Sequence, residues 1–410
     1  MMSPLRLFLV LVLGSFAIAA CDSDPGASLY DPDATGGPAP VIASISPDGP
    51  VLAGIDEITI SGQNFSPTPS QNLVFFDDGA GEVAQGTILS ASQSELRVKV
   101  PNLPNANLRV RVSVVGAQDF SNEVAFPLVP ASVPFGDLDA GIREEVLSMT
   151  SDGAGGLLVS LVSNGSSAGI QRFAADGTRT PYFTSSATWS GLTTGLDGTL
   201  YGVRRLRAAF VLPEGGSQQT FAVLPNGVSL ATIVAGPTGE LYAAGSNSSP
   251  EAGQLYHITP GGTVTGIPFT DPVTALAVQG QTLFLAAVTP TKSWIVRYTL
   301  DAAGDPGPPE LFYDLTADRG PGIAITALAV AADGTLFVGT DAPDPILEVA
   351  PDGTASTLYP GVLAPPIAGF AWGPGTTLFV AVASIAPATE GGARTPAALY
   401  RLETRRQGAP

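Results

Sequence analysis

A glycine-containing turn followed by Leu-aromatic-apolar, or a close variant, recurs six times between residues 129 and 404, and this repeat restricts the fold more than any other feature. The copies are Gly156-Leu157-Leu158-Val159, Thr199-Leu200-Tyr201-Gly202, Glu240-Leu241-Tyr242-Ala243, Thr282-Leu283-Phe284-Leu285, Thr335-Leu336-Phe337-Val338 and Thr377-Leu378-Phe379-Val380. Their leucines stand 43, 41, 42, 53 and 42 residues apart, and the long interval holds a Gly/Pro-rich insertion at 301–309. Each copy opens with an apolar strand such as 324–330 and usually turns at Asp-Gly. It continues through the Leu-aromatic strand to a third strand such as 346–350 and a fourth such as 356–359. Four short strands in about 42 residues make one blade of a β-propeller, whereas a helical solenoid would carry a 3.6-residue period. Six copies predict six blades. The sixth copy runs out at its third strand, 398–402, while 132–138 resembles a fourth strand such as 179–184. The two ends of the repeat region are therefore expected to share one blade, with 133–138 as its outer strand.

Composition agrees with an all-β chain. The 48 glycines and 37 prolines suit many short strands joined by turns, and 44% hydrophobic residues can fill substantial cores. The length predicts two or three domains. With 36 acidic against 18 basic residues, the net charge of −18 argues against nucleic-acid binding and against electrostatic docking on anionic lipid.

Between residues 40 and 128 the pattern is that of a smaller all-β domain. Ile58 and Ile60 alternate with Thr59 and Ser61, Leu96, Val98 and Val100 with Arg97 and Lys99, and Val110, Val112 and Val114 with Arg111 and Ser113. This period of two predicts half-buried strands in a two-sheet sandwich. Ile45-Ser46-Pro47, Gly54, Ile58-Thr59-Ile60-Ser61-Gly62, Asn64-Phe65, Val74-Phe75-Phe76, Val98-x-Val100-Pro101 and Ser121-Asn122 before Phe126 resemble an IPT/TIG domain. That resemblance implies an immunoglobulin-like β-sandwich, a fold used as a spacer or binding module. The expected architecture is thus all-β: an immunoglobulin-like β-sandwich at 40–128, followed by a six-bladed β-propeller at 129–404 and a short tail, 405–410.

The first twenty residues carry Arg6, an unbroken apolar run at 7–13, and small residues Ala17, Ala19 and Ala20 ahead of Cys21. The run is too short to span a bilayer and has the shape of a signal peptide. Ile18-Ala19-Ala20-Cys21 resembles the lipobox of bacterial lipoproteins, which implies cleavage before Cys21 and acylation of its thiol. Cys21 is the single cysteine, so no intrachain disulfide competes for it. Loss of Arg6 with residues 1–20 moves the net charge from −18 to −19. Residues 21–39, rich in Asp, Gly, Pro and Ser, read as a flexible tether whose eighteen residues after Cys21 reach at most about 60 Å. The expected location is the bacterial cell envelope, with the bilayer as partner through Cys21. Asp22 leaves inner and outer membrane open.

The repeats also resemble NHL-type and gluconolactonase-like six-bladed propellers. Some of those relatives are metal-dependent lactonases or esterases, which implies a cation such as Ca²⁺ held by acidic side chains in the channel. Glu144 and Glu145, just ahead of the first copy, are the one acidic pair so placed, and their plainer role is as solvated loop residues. The inner strands 273–278, 325–330 and 367–372 carry no carboxylate. Asp152-Gly153, Asp176-Gly177, Asp197-Gly198, Asp333-Gly334 and Asp352-Gly353 follow the hairpins and read as turns. The sole histidine, His257, has no evident partner in the sequence and supports no Ser-His-Asp triad. Arg204, Arg205 and Arg207 form the densest basic cluster and could meet an anionic ligand or a partner's carboxylates, against a plainer role in local charge balance. Their loop and the segment 384–394 are expected on one propeller face. Two functions follow: a membrane-anchored, non-enzymatic binding or display module for protein or glycan, without cofactor; or a metal-dependent lactonase-like hydrolase with Ca²⁺ in the channel.

Overall fold

The computed structural model describes residues 36–248, 254–386 and 394–409. The chain divides into two compact units that meet in sequence at Leu128 and Val129. Cys21, the expected signal peptide at 1–20 and most of the expected tether lie outside the described residues.

The first unit is immunoglobulin-like, but its two sheets are not separate. Strands Val41–Ser46, Glu57–Gln63, Glu95–Lys99, Val83–Ala91, Asn72–Asp77, Arg109–Val114 and Val124–Ala125 follow one another across one seven-stranded, nearly closed sheet. The expected two-sheet sandwich is continuous because one long strand serves both halves. Residues 83–86 of Val83–Ala91 pair with Asn72–Asp77, and residues beyond Gly86 pair with Glu95–Lys99. The corner falls at Gly86, where a Cβ would stand 2.5 Å from Val98 and 3.0 Å from Phe76, so only glycine lets the sheet fold over itself. The alternation seen in the sequence points Ile58, Ile60, Val74, Phe76, Leu96, Val98, Val110 and Val112 into one core. Asn122 nearly closes the sheet: its side chain accepts from the Ile42 N–H at 2.9 Å and donates to the Ile42 carbonyl at 3.0 Å.

The second unit is a six-bladed propeller. Blade 1 is Glu145–Ser151, Leu157–Ser163, Ser166–Phe173 and Arg179–Phe183, from inner to outer strand. Blades 2 to 5 repeat the pattern, beginning at Gly191–Thr194, Val228–Ala235, Val273–Gln279 and Ile325–Val330. Blade 6 takes Ile367–Trp372, Thr377–Val382 and Ala398–Glu403 from the chain's end, and Ser132–Pro134 from before blade 1. The shared blade is as the sequence suggested, but its outer strand is shorter. Pairing runs from Ser132↔Leu402 to Pro134↔Tyr400, and the Phe135 N–H still reaches the Leu399 carbonyl at 2.9 Å. Gly136 then turns the chain away at φ +62°.

The hydrophobic clusters of this unit lie between blades. Leu158, Ile170 and Trp189 join blades 1 and 2, Leu230, Leu241 and Val203 join blades 2 and 3, and Tyr242, Leu276 and Tyr298 join blades 3 and 4. Further clusters join blades 4 and 5, 5 and 6, and 6 and 1. A blade face is thus apolar because its neighbour covers it, and the ring stands or falls together. The Asp-Gly pairs serve the hairpins, as expected. In each, glycine sits at positive φ, and in four pairs the aspartate accepts from the N–H two residues on, that of Thr178, Thr199, Thr335 or Thr354. Asp152 caps its turn through the Ala154 and Gly156 N–H groups.

Between blades 3 and 4 the Tyr298 ring is fully buried and its hydroxyl has no partner among the described residues. Burial pushes its pKa up to about 12. Tyr242 is raised further by burial and the nearby Glu240, and Tyr313 by burial and its hydrogen bond to Asp318. The folded protein keeps these protons where the unfolded chain loses them, so stability falls as pH rises above about 10, by up to ~1.4 kcal/mol per pH unit for each tyrosine. Urea unfolding between pH 8 and 12 reads this slope. Tyr298→Phe removes an unpaired buried hydroxyl, so it is expected to stabilise by up to ~1 kcal/mol at pH 8 and to flatten the alkaline fall.

Candidate functional site

The inner strands of the six blades enclose a central channel of about 820 Å³. Its wall is drawn from the inner strands, where small or hydroxylated residues such as Thr150, Thr194, Ala277 and Ala329 stand among larger apolar ones such as Leu192, Leu276, Leu328 and Phe370. Five of the six inner strands carry a bulge near their start, between Val146 and Ser148 in blade 1 and at matching places in blades 3 to 6. Such bulges re-aim side chains locally. Hydroxyls there tie neighbouring blades: Ser148 donates to the Trp189 carbonyl (2.9 Å), Ser190 to Leu230 (3.0 Å) and Thr274 to Ile325 (2.9 Å). At the other end Thr194 donates to the Ser151 carbonyl at 2.8 Å, and the Trp372 indole N–H to Val330 at 2.7 Å. Thr326 Oγ1 is buried without a partner among the described residues.

Among the described residues that form this wall, none is ionisable. It is built from Ser, Thr, Gly, Ala and larger apolar side chains, with Pro237 and Gln407 at the hairpin-turn end. The carboxylate-free character read from three inner strands extends to five of the six; the inner strand of blade 1 begins with Glu145, which is not among the residues lining the channel. A hard cation needs several anionic or carbonyl oxygens converging on it, and general acid–base chemistry needs a titratable group within reach. Among the described residues no three His, Cys, Asp or Glu side chains converge as a metal site.

Glu144 and Glu145 stand away from the channel wall, and neither is a solvated loop residue. Glu144 is buried and takes a two-pronged contact from Arg179, Nη1 to Oε2 at 2.8 Å and Nη2 to Oε1 at 2.7 Å, plus the Asp139 N–H at 2.7 Å. Glu145 accepts from the Ser384 hydroxyl and from Arg394. Burial raises the Glu145 pKa, but the bonds from Ser384 and Arg394 outweigh it and hold the carboxyl below its ordinary range. Two carboxylates committed to arginines on different elements do not make a Ca²⁺ cage. Of the segment 384–394, residues 387–393 lie outside the described residues.

The basic cluster also divides. Arg204 lies over the rings of Phe210 (4.9 Å) and Trp189 (5.8 Å), and Arg207 donates to the Leu224 carbonyl at 3.2 Å. Arg205 and Leu206 remain exposed at the tip of this loop. His257, for which the sequence offered no partner, has one: its Nδ1 lies 2.8 Å from Asp305 Oδ1, supplied by the blade 4 insertion. The ring stacks on Tyr242 at 5.4 Å, and the single proton of the Tyr242 hydroxyl is shared between Glu240 Oε1 and the Gly304 carbonyl. The insertion is therefore a clasp over blade 3. A partner donated by a loop 48 residues away leaves no local signal in the sequence.

The tail, too, is placed. Thr404 is buried, and Arg406 pairs with Glu348 at 3.1 Å and with Asp333. Gln407 and Ala409 then hydrogen-bond to Ala332 and Val330, and Gly408 packs on Trp372, so that 407–409 line the channel at its hairpin-turn end. Arg406→Ala is expected to cost about 1 kcal/mol, since the pairs are partly exposed. Its clearer readout is hydrogen exchange, which should quicken at the Ala332 and Ala409 amides and leave blades 1 to 3 unchanged.

Residues 40–127 match the IPT/TIG domain family. No curated protein matches the chain. Among solved structures, a protein of unknown function from Bacteroides thetaiotaomicron is 13% identical, over 91% of this chain and 99% of that one, with a TM-score of 0.49. The calcium-binding protein regucalcin from Agrobacterium tumefaciens is 18% identical over 65% and 95%, with a TM-score of 0.48. The PQQ-bound aldose sugar dehydrogenase from Streptomyces coelicolor is 17% identical over 67% and 99%, also at 0.48.

Proposed function

We propose that this chain is an exported lipoprotein, acylated at Cys21, whose propeller is a non-enzymatic module that binds an uncharged ligand, a glycan or a neutral stretch of protein. The observation carrying the binding half is the channel wall: hydroxyls, main-chain groups and apolar carbon line about 820 Å³ without one ionisable side chain. Such a wall holds sugars through hydrogen bonds and apolar contact, and offers no base, acid or anionic ligand set for hydrolysis. The exposed tip at Arg205 and Leu206 offers a second contact on a loop, where binding residues commonly sit. The anchoring half rests on the segment ending in Ala19-Ala20-Cys21.

Four measurements on the full chain test this. Metal analysis should find no stoichiometric Ca²⁺ or Zn²⁺, and simple lactones should not be hydrolysed. A bound cation lost in Glu144→Gln or Glu145→Gln would overturn the non-enzymatic assignment in favour of a metal-dependent hydrolase. Cys21→Ser should move the chain from the membrane to the soluble fraction, and the wild-type mass should show the acyl groups.

A further inference from the structure

The immunoglobulin-like domain carries one apolar surface that its own fold does not use. On the strand pair Asn72–Asp77 and Arg109–Val114, Val74, Phe76, Val110 and Val112 point into the core. The opposite face presents Leu73 and Phe75, extended by Val83 on one side and by Val115 and Phe120 on the other. Val115 is 64% exposed, Phe120 49% and Val83 48%. Phe120 packs edge-on against Phe75 at 5.8 Å, and the Arg111 guanidinium sits 4.9 Å over it. A cluster of this kind on a monomer marks a contact surface.

Its position identifies the occupant. The chain arriving from Cys21 joins the domain at the edge of this patch: the Gly37 N–H donates to the Gly116 carbonyl at 2.7 Å, and Gly37 bridges Ala117. Gly36 lies against Gln118, between Val115 and Phe120 in sequence. Fourteen residues separate Cys21 from Gly36, and the fifteen steps between them reach at most about 50 Å. A lipid at Cys21 therefore keeps the patch within that distance of the bilayer, at an effective concentration where a weak surface suffices.

The geometry points to this patch as a second, reversible membrane contact, in which Val115 and Phe120 enter the headgroup region of a zwitterionic bilayer with Leu73, Phe75 and Val83 beside them. The inference rests on acylation of Cys21. Arg111, paired with Asp77 at 3.2 Å, stands where it meets lipid phosphates. Asp119 and the net charge of −19 left after loss of residues 1–20 set the preference for zwitterionic over anionic lipid.

The test uses the chain's single cysteine. Once Cys21 is acylated, Gln85→Cys introduces the only free thiol, on the patch face directly across from Phe75. Acylated full-length protein carrying an environment-sensitive fluorophore there is reconstituted into phosphatidylcholine vesicles. We expect a blue-shifted emission quenched by spin labels in the lipid, while the same label at Gln93→Cys stays aqueous. Val115→Ser with Phe120→Ser should return the Gln85→Cys label to an aqueous spectrum while the protein stays vesicle-bound. An aqueous label on an acylated, bound chain overturns the contact. A blue shift that lipid-phase quenchers do not touch, and that persists in detergent, assigns the patch to a second copy instead and overturns it equally. Absence of the acyl mass overturns anchor and contact together.

Discussion

Deleting residues 132–139 should abolish cooperative unfolding of the propeller. The segment is a small part of the ring, yet it supplies the outer strand of blade 6 and the side chain that joins blade 6 to blade 1. Phe135 is buried, with its ring 4.6 Å from Phe379 and 6.4 Å from Phe173, and the Arg401 guanidinium 4.4 Å over it. Losing a buried Phe side chain alone costs about 3–5 kcal/mol. The deletion also exposes the pairing edge of Ala398–Glu403 and removes the Asp139 N–H from Glu144. Stability of a domain is about 5–15 kcal/mol, so the combined loss is of the order of the whole. All three tryptophans, Trp189, Trp294 and Trp372, lie in the propeller, so their emission reports this unit without interference from the other. A sharp thermal transition at the wild-type temperature in the deletion variant would show that the ring does not need this closure. Phe135→Ala gives the graded version, with a cooperative transition at a lower temperature.

The closure was legible because a repeat fixes what each copy must contain, and a sixth copy that lacks its fourth strand points to the segment left over at the other end. The blade order, the Asp-Gly hairpins and the uncharged inner strands 273–278, 325–330 and 367–372 were legible for the same reason: each is local, and each recurs. What was not legible joins residues far apart in sequence. Asp305 reaches His257, Arg179 reaches Glu144, and Arg406 reaches Glu348 across spans that carry no periodic signal. The basic cluster failed as a unit because charge can be counted in a sequence while stacking cannot: Arg204 sits over Trp189 and Phe210, leaving Arg205 at the tip. The continuous sheet of the first domain turned on Gly86, a single glycine whose close packing against Val98 and Phe76 carries no periodic signal in the sequence.

Arg179→Ala is expected to destabilise the propeller by about 3–5 kcal/mol, the loss that follows when one partner of a buried pair is removed. The two sides of this pair are unequal. The Glu144 side chain is 2% exposed and Arg179 29%, so the carboxylate depends on its partner more than the guanidinium does. Without Arg179 the carboxylate keeps only the Asp139 N–H. Glu144→Ala removes the buried charge itself and leaves an arginine that water reaches, so it should cost less, about 1–3 kcal/mol for the unmade bonds. Thermal melts of both variants and of the double variant form a cycle that isolates the pair. The order matters for function as well as stability. If Glu144 were held in readiness for a cation, Ca²⁺ would compete with Arg179, raising the melting temperature of Arg179→Ala far more than that of the wild type. If the pair is structural, millimolar Ca²⁺ should leave both melts where they are. Equal insensitivity, with Arg179→Ala the least stable of the three, is the outcome expected of a carboxylate that braces the first blade and leaves the channel uncharged.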